Sequence, residues 1–415
     1  MRTLVTPTAP GIDSLPGDAA QIHDDLTRFR RDLHRHPEVG LDLPRTQERV
    51  LAAVDGLHLE VSTGTRTSSV TAVLRGAGGV TGSRPTVLLR ADMDALPVHE
   101  LAAIDYRSEV DGSMHACGHD LHTAMLVGAA RLLDARRDSL PGDVVLMFQP
   151  GEEGYGGARI MIEEGVLDAS GRPVDAAYGM HVFSTLAPHG TFVTKPGPML
   201  AASDGFAVTV QGRGGHGSSP HAALDPVPAV AEMVLALQSA VTRSFDAQDP
   251  VVVTVGLLRA GTKRNVIPDE AFFDATVRTF SDAQRARVAE VLPRVVRGIA
   301  AAHGLTVDVQ YTQEYPVTSN DVDETAFAAG VLERLFDGRH TRWARPLAGS
   351  EDFSFVLQQV PGTFVGLGAA PVGADLATAE FNHSPRAVFD DGVLADGAAL
   401  YAALALERLH QGSDA

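Results

Sequence analysis

The chain has 415 residues, is acidic, and has an ordinary globular composition. This length exceeds what one hydrophobic core usually serves, so about two or three domains are expected. The formal net charge of -18, with no cluster of Lys or Arg, argues against nucleic acid or an anionic membrane as a partner. No apolar run reaches the roughly 18 residues of a membrane span. The single cysteine excludes an intrachain disulfide and suits a reducing cytoplasm.

The N-terminal half alternates predicted helices with predicted strands. Residues 1–21 precede this pattern, lack the apolar core of a signal peptide, and are predicted to be a flexible leader. The predicted helices cover residues 22–36, 120–136 and 157–165, and the predicted strands cover residues 69–74, 86–94, 143–149 and 174–182. The strand at 143–149 is a continuous apolar run, which is typical of a strand buried on both faces of a mostly parallel sheet. The alternation therefore favours an α/β domain.

Between residues 203 and 313 the order changes to strand, helix, two strands, helix and strand. These elements are predicted at residues 204–212, 225–241, 251–259, 270–280, 282–303 and 305–310. A unit of about 110 residues has the usual size of a small domain. Alternation of helix and strand then resumes over residues 322–336, 363–368 and 393–409. We therefore predict a mostly parallel-sheet α/β catalytic domain (22–198 and 314–415), interrupted by an inserted α+β domain of ferredoxin-like type (199–313).

The segment MHACGHDLHTA (114–124) concentrates side chains that bind metals. It contains His115, Cys117, His119 and His122, and thiolate and imidazole are the ligands that zinc and similar ions prefer. A lone cysteine or histidine is more often structural, but four together, with a glycine that permits a tight turn, favour a metal site. The alternative is a nucleophile–base pair of Cys117 and His119. A catalytic thiolate usually takes its base from elsewhere in the chain, so chelation is favoured.

The motif FQPGEEG (148–154) places Glu152 and Glu153 directly after an apolar strand. Adjacent carboxylates in such a place can be a solvated loop, or one can bind metal while the other takes a proton from water. The strand ends of α/β sheets are where such sites form, which favours the second interpretation. Spacing alone does not assign the two roles.

Further candidates lie at other strand ends and in loops. His181 ends a predicted strand in GMHV, and His383 lies in NHSP near the C-terminus. The motif RADMDALP (90–97) places two aspartates at the end of a strand. His34 and His36 lie at a helix end, where capping or surface roles are expected.

The motifs occur in an order that resembles a known family. They are RRDLHRHPE, RADMDALP, MHACGHDLHTA, FQPGEEG, GMHV, GRGGHGSSPH, NVIPD, AGSEDF and NHSP. This series resembles the aminoacylase/hippurate-hydrolase branch of the two-metal aminopeptidase-like hydrolases, over about residues 25 to 410. That branch includes N-acyl-amino-acid amidohydrolases, hippurate hydrolases and plant hydrolases of auxin–amino acid conjugates. The chain departs from its pattern at Gly151, where the branch usually has Ala, and at LDLP (41–44), which replaces a more acidic stretch.

The resemblance implies a role for each matching residue. Two divalent ions (zinc, manganese, cobalt or nickel) would be bound by Cys117, His119, Glu153, His181 and His383. Glu152 would be the general base, and His216 would polarise the scissile carbonyl, in its own or a partner subunit's site. Asn265 and Arg278 would contact the substrate carboxylate. The inserted domain would serve as a lid or dimerisation domain, which implies a homodimer or higher homo-oligomer.

Three functions follow from this resemblance. The first is hydrolysis of the amide of small N-acyl-amino acids. The second is a dipeptidase or carboxypeptidase activity of the same metal chemistry, which in a dipeptidase requires a site for a free α-amine. The third is a non-catalytic binding protein of the same fold, which the intact pair of glutamates argues against.

Overall fold

The chain divides into two units in the computed structural model, which describes residue 9 and residues 11–79 and 84–413. The first unit comprises residues 1–197, 319–345 and 355–415. The second comprises residues 198–318 and 346–354. It therefore also includes residue 198 and residues 314–318 and 346–354, which the sequence analysis assigned to the catalytic domain.

The helices and strands follow the predicted alternation closely. In chain order the strands are β1 (Leu59–Thr63), β2 (Val70–Arg75), β3 (Thr86–Asp92), β4 (Asp143–Gln149), β5 (Ala176–Phe183), β6 (Phe192–Thr194), β7 (Gly197–Leu200), β8 (Ala202–Gln211), β9 (Gly215–His216), β10 (Val251–Ala260), β11 (Val266–Ile267), β12 (Glu270–Thr279), β13 (Thr306–Tyr315), β14 (Thr318–Asn320), β15 (His340–Arg342) and β16 (Gly362–Gly368). The helices are α1 (Leu15–Gln21), α2 (His23–Arg35), α3 (Pro44–Val54), α4 (His119–Asp134), α5 (Gly157–Glu163), α6 (Pro226–Ser244), α7 (Asp282–Ala302), α8 (Val322–Leu335), α9 (Ser354–Leu357) and α10 (Leu394–Ser413). Among the described residues, none of these helices is both long and apolar enough to cross a membrane.

The first unit is built on one large sheet with the strand order β1-β2-β4-β3-β5-β16-β6-β15. The four consecutive strands β4, β3, β5 and β16 are parallel to one another. Every residue of β3, β4 and β16 is buried, as expected for strands covered on both faces. Helices α4 and α10 pack against each other and against β3. The mostly parallel α/β domain is therefore confirmed.

The prediction of a flexible leader over residues 1–21 is wrong for its second half. A 3₁₀ turn (Ile12–Ser14) and α1 occupy this stretch, and α1 packs against α10. Ile12, Leu15 and Ala19 are fully buried there. Their spacing of three and four residues is a short apolar stripe, which the Pro and Gly residues between them obscured in the sequence. Residues 1–8 and 10 lie outside the described residues.

The second unit has the order β8-α6-β10-β12-α7-β13, with an antiparallel sheet of strand order β10-β12-β8-β13. This is the ferredoxin-like arrangement, so that part of the fold prediction is also confirmed. Both helices begin with a side-chain cap, in which Asp225 and Ser281 accept the backbone N–H of Val227 and Gln284. The apolar sides of α6 and α7 pack with the sheet into one core.

Candidate metal centre

The candidate site lies where the parallel strands of the first unit end. Strand β3 ends at Asp92, β4 leads into the turn with Glu152 and Glu153, and β5 contains His181. Because parallel strands end at the same edge of a sheet, these side chains converge there. The start of α4 and the loop that follows β16 contribute the remaining groups.

Gly118 directs Cys117 and His119 into this edge. It precedes α4 with a φ of 87°, in the left-handed region that favours glycine. A Cβ at this position would lie 2.4 Å from Val182 Cγ2, so a side chain has no room. The tight turn predicted from the sequence is therefore present, and it places the two neighbours of Gly118 on the same side of the chain reversal.

Five predicted ligands form two groups that share one sulfur. Cys117 with His119 and His181 is one group, and Cys117 with Glu153 and His383 is the other, each with ligand atoms within 4.8 Å of one another. Cys117 Sγ lies 3.4 Å from His181 Nε2 and 3.2 Å from His383 Nε2. His383 Nε2 also lies 3.2 Å from Glu153 Oε1. The structure therefore brings together all five residues that the resemblance implied.

The hydrogen bonds of His119 and His181 leave the correct nitrogens for a metal. Each ring donates its Nδ1–H to a backbone carbonyl, at 2.8 Å to Asp94 and at 2.8 Å to Val182 respectively. In its neutral form each ring then carries its lone pair on Nε2. His119 Nε2 is buried and has no hydrogen-bond partner among the described residues. An orphaned, inward-facing imidazole nitrogen beside a thiol and a carboxylate fits a transition-metal ion.

The loop that carries His383 is tied to Cys117. His383 has a φ of 73°, which is uncommon for a residue with a side chain, and its backbone N–H donates to Ala116 O at 2.8 Å. The preceding Asn382 donates to the backbone carbonyls of Cys117 and Val182. Such an over-determined backbone is typical of functional sites.

The negative groups of the site attract positive charge. Hydrogen bonds to Cys117 and Glu153 raise the pKa of His383 to about 10. Burial opposes protonation of His119, but the Asp92 carboxylate nevertheless raises the pKa of His119 well above its ordinary value. Burial lowers the pKa of His181 well below its ordinary value. A divalent cation competes for the same negative groups that hold these protons.

Asp94 has a role that the sequence did not assign. Its carboxylate accepts the backbone N–H groups of Glu152 at 2.9 Å and Glu153 at 3.1 Å, and so holds the turn that carries both glutamates. Asp92 and Asp94 were recognised only as a pair of aspartates at a strand end. Asp94 lies two residues beyond the end of β3, and a carboxylate just past a strand end is the signal that could have identified it.

The other two histidines of the metal-binding segment do not join the shared groups. His122 donates Nδ1–H to Asp92 Oδ1 at 2.5 Å and accepts the N–H of Val182 at Nε2, so both of its nitrogens are engaged. It therefore orients Asp92, which lies 3.7 Å from His119 Nε2. His115 is fully buried, and its pKa falls to about 3 because of burial.

The two departures from the family pattern meet in the structure. Gly151 has a φ of 72°, and a Cβ there would lie 2.4 Å from Leu41 Cδ2. Leu41, the first residue of LDLP, therefore fills the space that an alanine at position 151 would need. Leu41 thus lies against Gly151, so the two departures are neighbours in the structure.

His216, Asn265 and Arg278 all lie in the second unit. His216 on β9 is exposed and pairs with Val266 of β11, and the neighbouring Asn265 accepts the N–H of Gly217 at 2.9 Å. Arg278 lies elsewhere, on β12, where it pairs with Val252. Asn265 lies in the loop that connects β10 to β12, beyond the paired residues Ala260 and Ala271. Along β12, the seven residues from Ala271 to Arg278 span about 24 Å. The structure thus groups His216 with Asn265 and separates Arg278 from both.

The surface role expected for His34 is wrong. This residue of α2 is 1% exposed and lies between two carboxylates, Asp120 and Glu100. His34 and Arg30 are four residues apart and so share one face of the helix, at the margin of the apolar stripe formed by Leu26, Phe29 and Leu33. His36, two residues further on, is partly exposed as expected.

The first unit is an α/β fold with a Cys/His/Glu cluster at its strand ends, and the second unit is ferredoxin-like. These features define an α/β protein with a second α+β unit and a candidate metal centre. Residues 88–407 match the model of Peptidase family M20/M25/M40. The chain is 36% identical to thermostable carboxypeptidase 2 of Saccharolobus solfataricus, covering 95% of this chain and 98% of that protein. It is 36% identical to an N-acetylcysteine deacetylase of Bacillus subtilis, covering 93% and 97%.

A solved structure agrees with these matches. The YxeP protein of Bacillus subtilis, described as a dinuclear metal-binding peptidase of family M20, superposes with a TM-score of 0.80 at 34% identity. The match covers 94% of this chain and 99% of that one. The chain belongs to Peptidase family M20/M25/M40.

Proposed function

We propose that the protein is a metal-dependent amidohydrolase of N-acyl-amino acids. The observation that carries this proposal is the cluster of five ligand side chains beside a further buried carboxylate, Glu152. Its similarity to an N-acetylcysteine deacetylase supports an N-acyl-amino acid as the substrate.

The two groups that share Cys117 are suited to two divalent ions. Cys117 would be the common ligand, His119 and His181 would complete one site, and Glu153 and His383 the other. The mixed sulfur, nitrogen and oxygen ligands suit zinc, manganese, cobalt or nickel. When bound, such ions supply Lewis-acid activation of water and of the amide carbonyl.

Glu152 is placed to move the proton. It is buried, and its backbone N–H is fixed by Asp94, while its carboxylate lies within 4.8 Å of the ligand atoms of His119 and Glu153. A carboxylate in this place accepts the proton of the attacking water and then delivers it to the departing nitrogen. The neighbouring Glu153 faces His383 and serves as a ligand.

His216 is prepared to donate a hydrogen bond. Its Nδ1 accepts the backbone N–H of Ser218, so a neutral His216 ring carries its proton on Nε2. An exposed Nε2–H can stabilise the oxyanion that forms during amide cleavage. Asn265 lies beside it and is available for the substrate carboxylate.

The distance between Arg278 and Asn265 favours an active site to which two subunits each contribute a second unit. About 24 Å along β12 is too far for one copy of the unit to bring both residues to one small carboxylate. We therefore propose a homodimer in which His216 and Asn265 act on the partner's substrate and Arg278 acts on that of its own subunit.

The cytoplasmic location and the choice of metal also remain predictions.

Complementation tests the shared site. Inactive His216→Ala protein is mixed with inactive Glu152→Gln protein under conditions that exchange subunits. We expect activity to return to about a quarter of the wild-type level, because random mixing makes half of the dimers mixed and each mixed dimer has one intact site. Subunit exchange without any recovered activity would show that His216 acts within its own subunit or not at all.

Peptidase activity is the second candidate, because the carboxypeptidase of Saccharolobus solfataricus is equally similar. Arg278 could hold a terminal carboxylate in either case. The two candidates differ in the group on the other side of the scissile amide, which is an acyl group in one and a peptide in the other.

A substrate screen decides between them. Chelator-treated protein is reconstituted separately with zinc, manganese, cobalt and nickel, and assayed with hippurate, acetylated and indole-acetylated amino acids, dipeptides and blocked peptides. We expect no activity before reconstitution and a preference for N-acyl-amino acids after it. Faster cleavage of dipeptides or blocked peptides would support the peptidase, and full activity of protein shown by elemental analysis to be metal-free would overturn both.

A further inference from the structure

A buried network of charges lies behind the metal centre, on the side of α2. It joins three cations to three carboxylates: Arg30, Arg31 and His34 with Glu100, Asp120 and Asp391. Arg30 and His34 are both fully buried, and both bind the same oxygen of Asp120, Arg30 Nε at 2.7 Å and His34 Nδ1 at 2.7 Å. None of these residues was proposed as a metal ligand or as a catalytic group.

The geometry of His34 fits a doubly protonated ring. Its Nδ1 faces Asp120 Oδ2 at 2.7 Å, and its Nε2 faces Glu100 Oε1 at 3.1 Å. Both partners are acceptors, so the ring satisfies them together only by donating from both nitrogens. In this state the three cations of the network face its three buried carboxylates, while the exposed Asp105 lies 3.8 Å from Arg31.

Asp120 connects this network to the metal centre. It directly follows His119 in the first turn of α4, so a side chain held from α2 sets the position of that turn. We propose that His34 is a positioning residue of the metal centre: clamped between Glu100 and Asp120, it holds the first turn of α4 and thereby His119 in the geometry that binds metal. The inference rests on the proposed metal site. Partners of this kind tune metal affinity by about 10- to 100-fold.

The surroundings of His34 favour the imidazolium. Burial opposes the charge, but Asp120 and then Glu100 raise the pKa of His34 above its ordinary value of 6.5. Arg30 acts against this shift, His115 and Tyr106 are the other titratable groups nearby, and Asp391 faces Arg30. A group whose pKa is raised on folding stabilises the structure fully below its unfolded pKa, and the effect is lost as pH rises through the folded pKa.

Metal affinity tests the clamp. Dissociation constants for zinc and manganese are measured on the full-length apoprotein by competition with a chelator, alongside urea unfolding, for wild type, His34→Ala, His34→Gln and the control His36→Ala. We expect His34→Ala to weaken binding by about 10- to 100-fold while the apoprotein remains folded. His34→Gln, which keeps one donor group, should fall between wild type and alanine. The control His36→Ala, at a partly exposed position, should stay within about twofold of wild type, since His36 touches neither Glu100 nor Asp120.

The pH dependence separates positioning from simple stability. The ratio of the wild-type affinity to that of His34→Gln should be largest below pH 6.5 and shrink as His34 loses its proton. Nitrogen NMR of the His34 ring, identified by its absence in His34→Gln, should show both nitrogens protonated above pH 6.5. A neutral ring in this measurement would overturn the clamp even if His34→Ala does not fold.

The experiments distinguish failure of the clamp from failure of the proposed metal site. Equal metal affinity of wild type and folded His34→Ala, or a neutral His34 ring at pH 6.5, would overturn the clamp alone. Failure of wild-type apoprotein to bind either ion would overturn the proposed metal site, and the clamp with it.

Discussion

Glu152→Gln is expected to lower kcat by about 10²- to 10⁴-fold, the usual worth of a general base, while metal content stays at the wild-type level. The amide keeps the size of the carboxylate but cannot accept a proton. The backbone N–H of Glu152 still donates to Asp94, so the turn should keep its shape. Steady-state kinetics on the best N-acyl-amino acid from the substrate screen, with elemental analysis of the same sample, measure both quantities.

Glu153→Gln is the matched control, because it makes the same chemical change one residue away. Glu153 faces His383 at 3.2 Å, so this variant should lose bound metal and recover activity in part at high metal concentration. If Glu152→Gln were the variant that lost metal and Glu153→Gln kept it, the roles within the pair would be reversed.

Cys117→Ser is expected to weaken binding of both ions and to abolish activity at ordinary metal concentrations. Cys117 is the one residue common to both ligand groups, and a neutral hydroxyl is a far poorer ligand than a thiolate. Loss of a residue that only supports a ligand costs about 10- to 100-fold in affinity, so loss of a shared ligand should cost more than about 100-fold. Titration of apoprotein followed by elemental analysis gives the affinity and the number of ions bound.

Single-group variants provide the comparison for Cys117→Ser. His383→Gln removes a ligand from one group only, and His181→Gln removes one from the other, so each should retain about one ion per subunit. Retention of two ions by Cys117→Ser at the wild-type affinity would contradict the shared-sulfur arrangement.

Local sequence determined most of the secondary structure and indicated a metal site. The apolar run at 143–149 became the fully buried β4, and the turn at Gly118 became the start of α4, because burial on both faces and a positive φ each leave a direct trace in residue type. Thiol and imidazole concentrated in one short segment indicated a metal site, but the set of five ligands was implied by the resemblance of the whole series of motifs to a known family. Helices α1 and α3 have a less regular pattern of apolar residues, and the sequence analysis did not predict them.

Only the tertiary structure decided how these residues are grouped and which partners they contact. It showed that Cys117 is common to two groups, that Asp94 holds the glutamate turn, and that His34 is buried between two carboxylates. Each of these depends on contacts between residues far apart in the chain, such as His383 with Cys117, and residue type alone carries no information about which distant partner is met. A histidine four residues after an arginine looks the same on a solvated helix as on one that packs against an acidic neighbour, because the energy that distinguishes them comes from burial and charge pairing in the folded state.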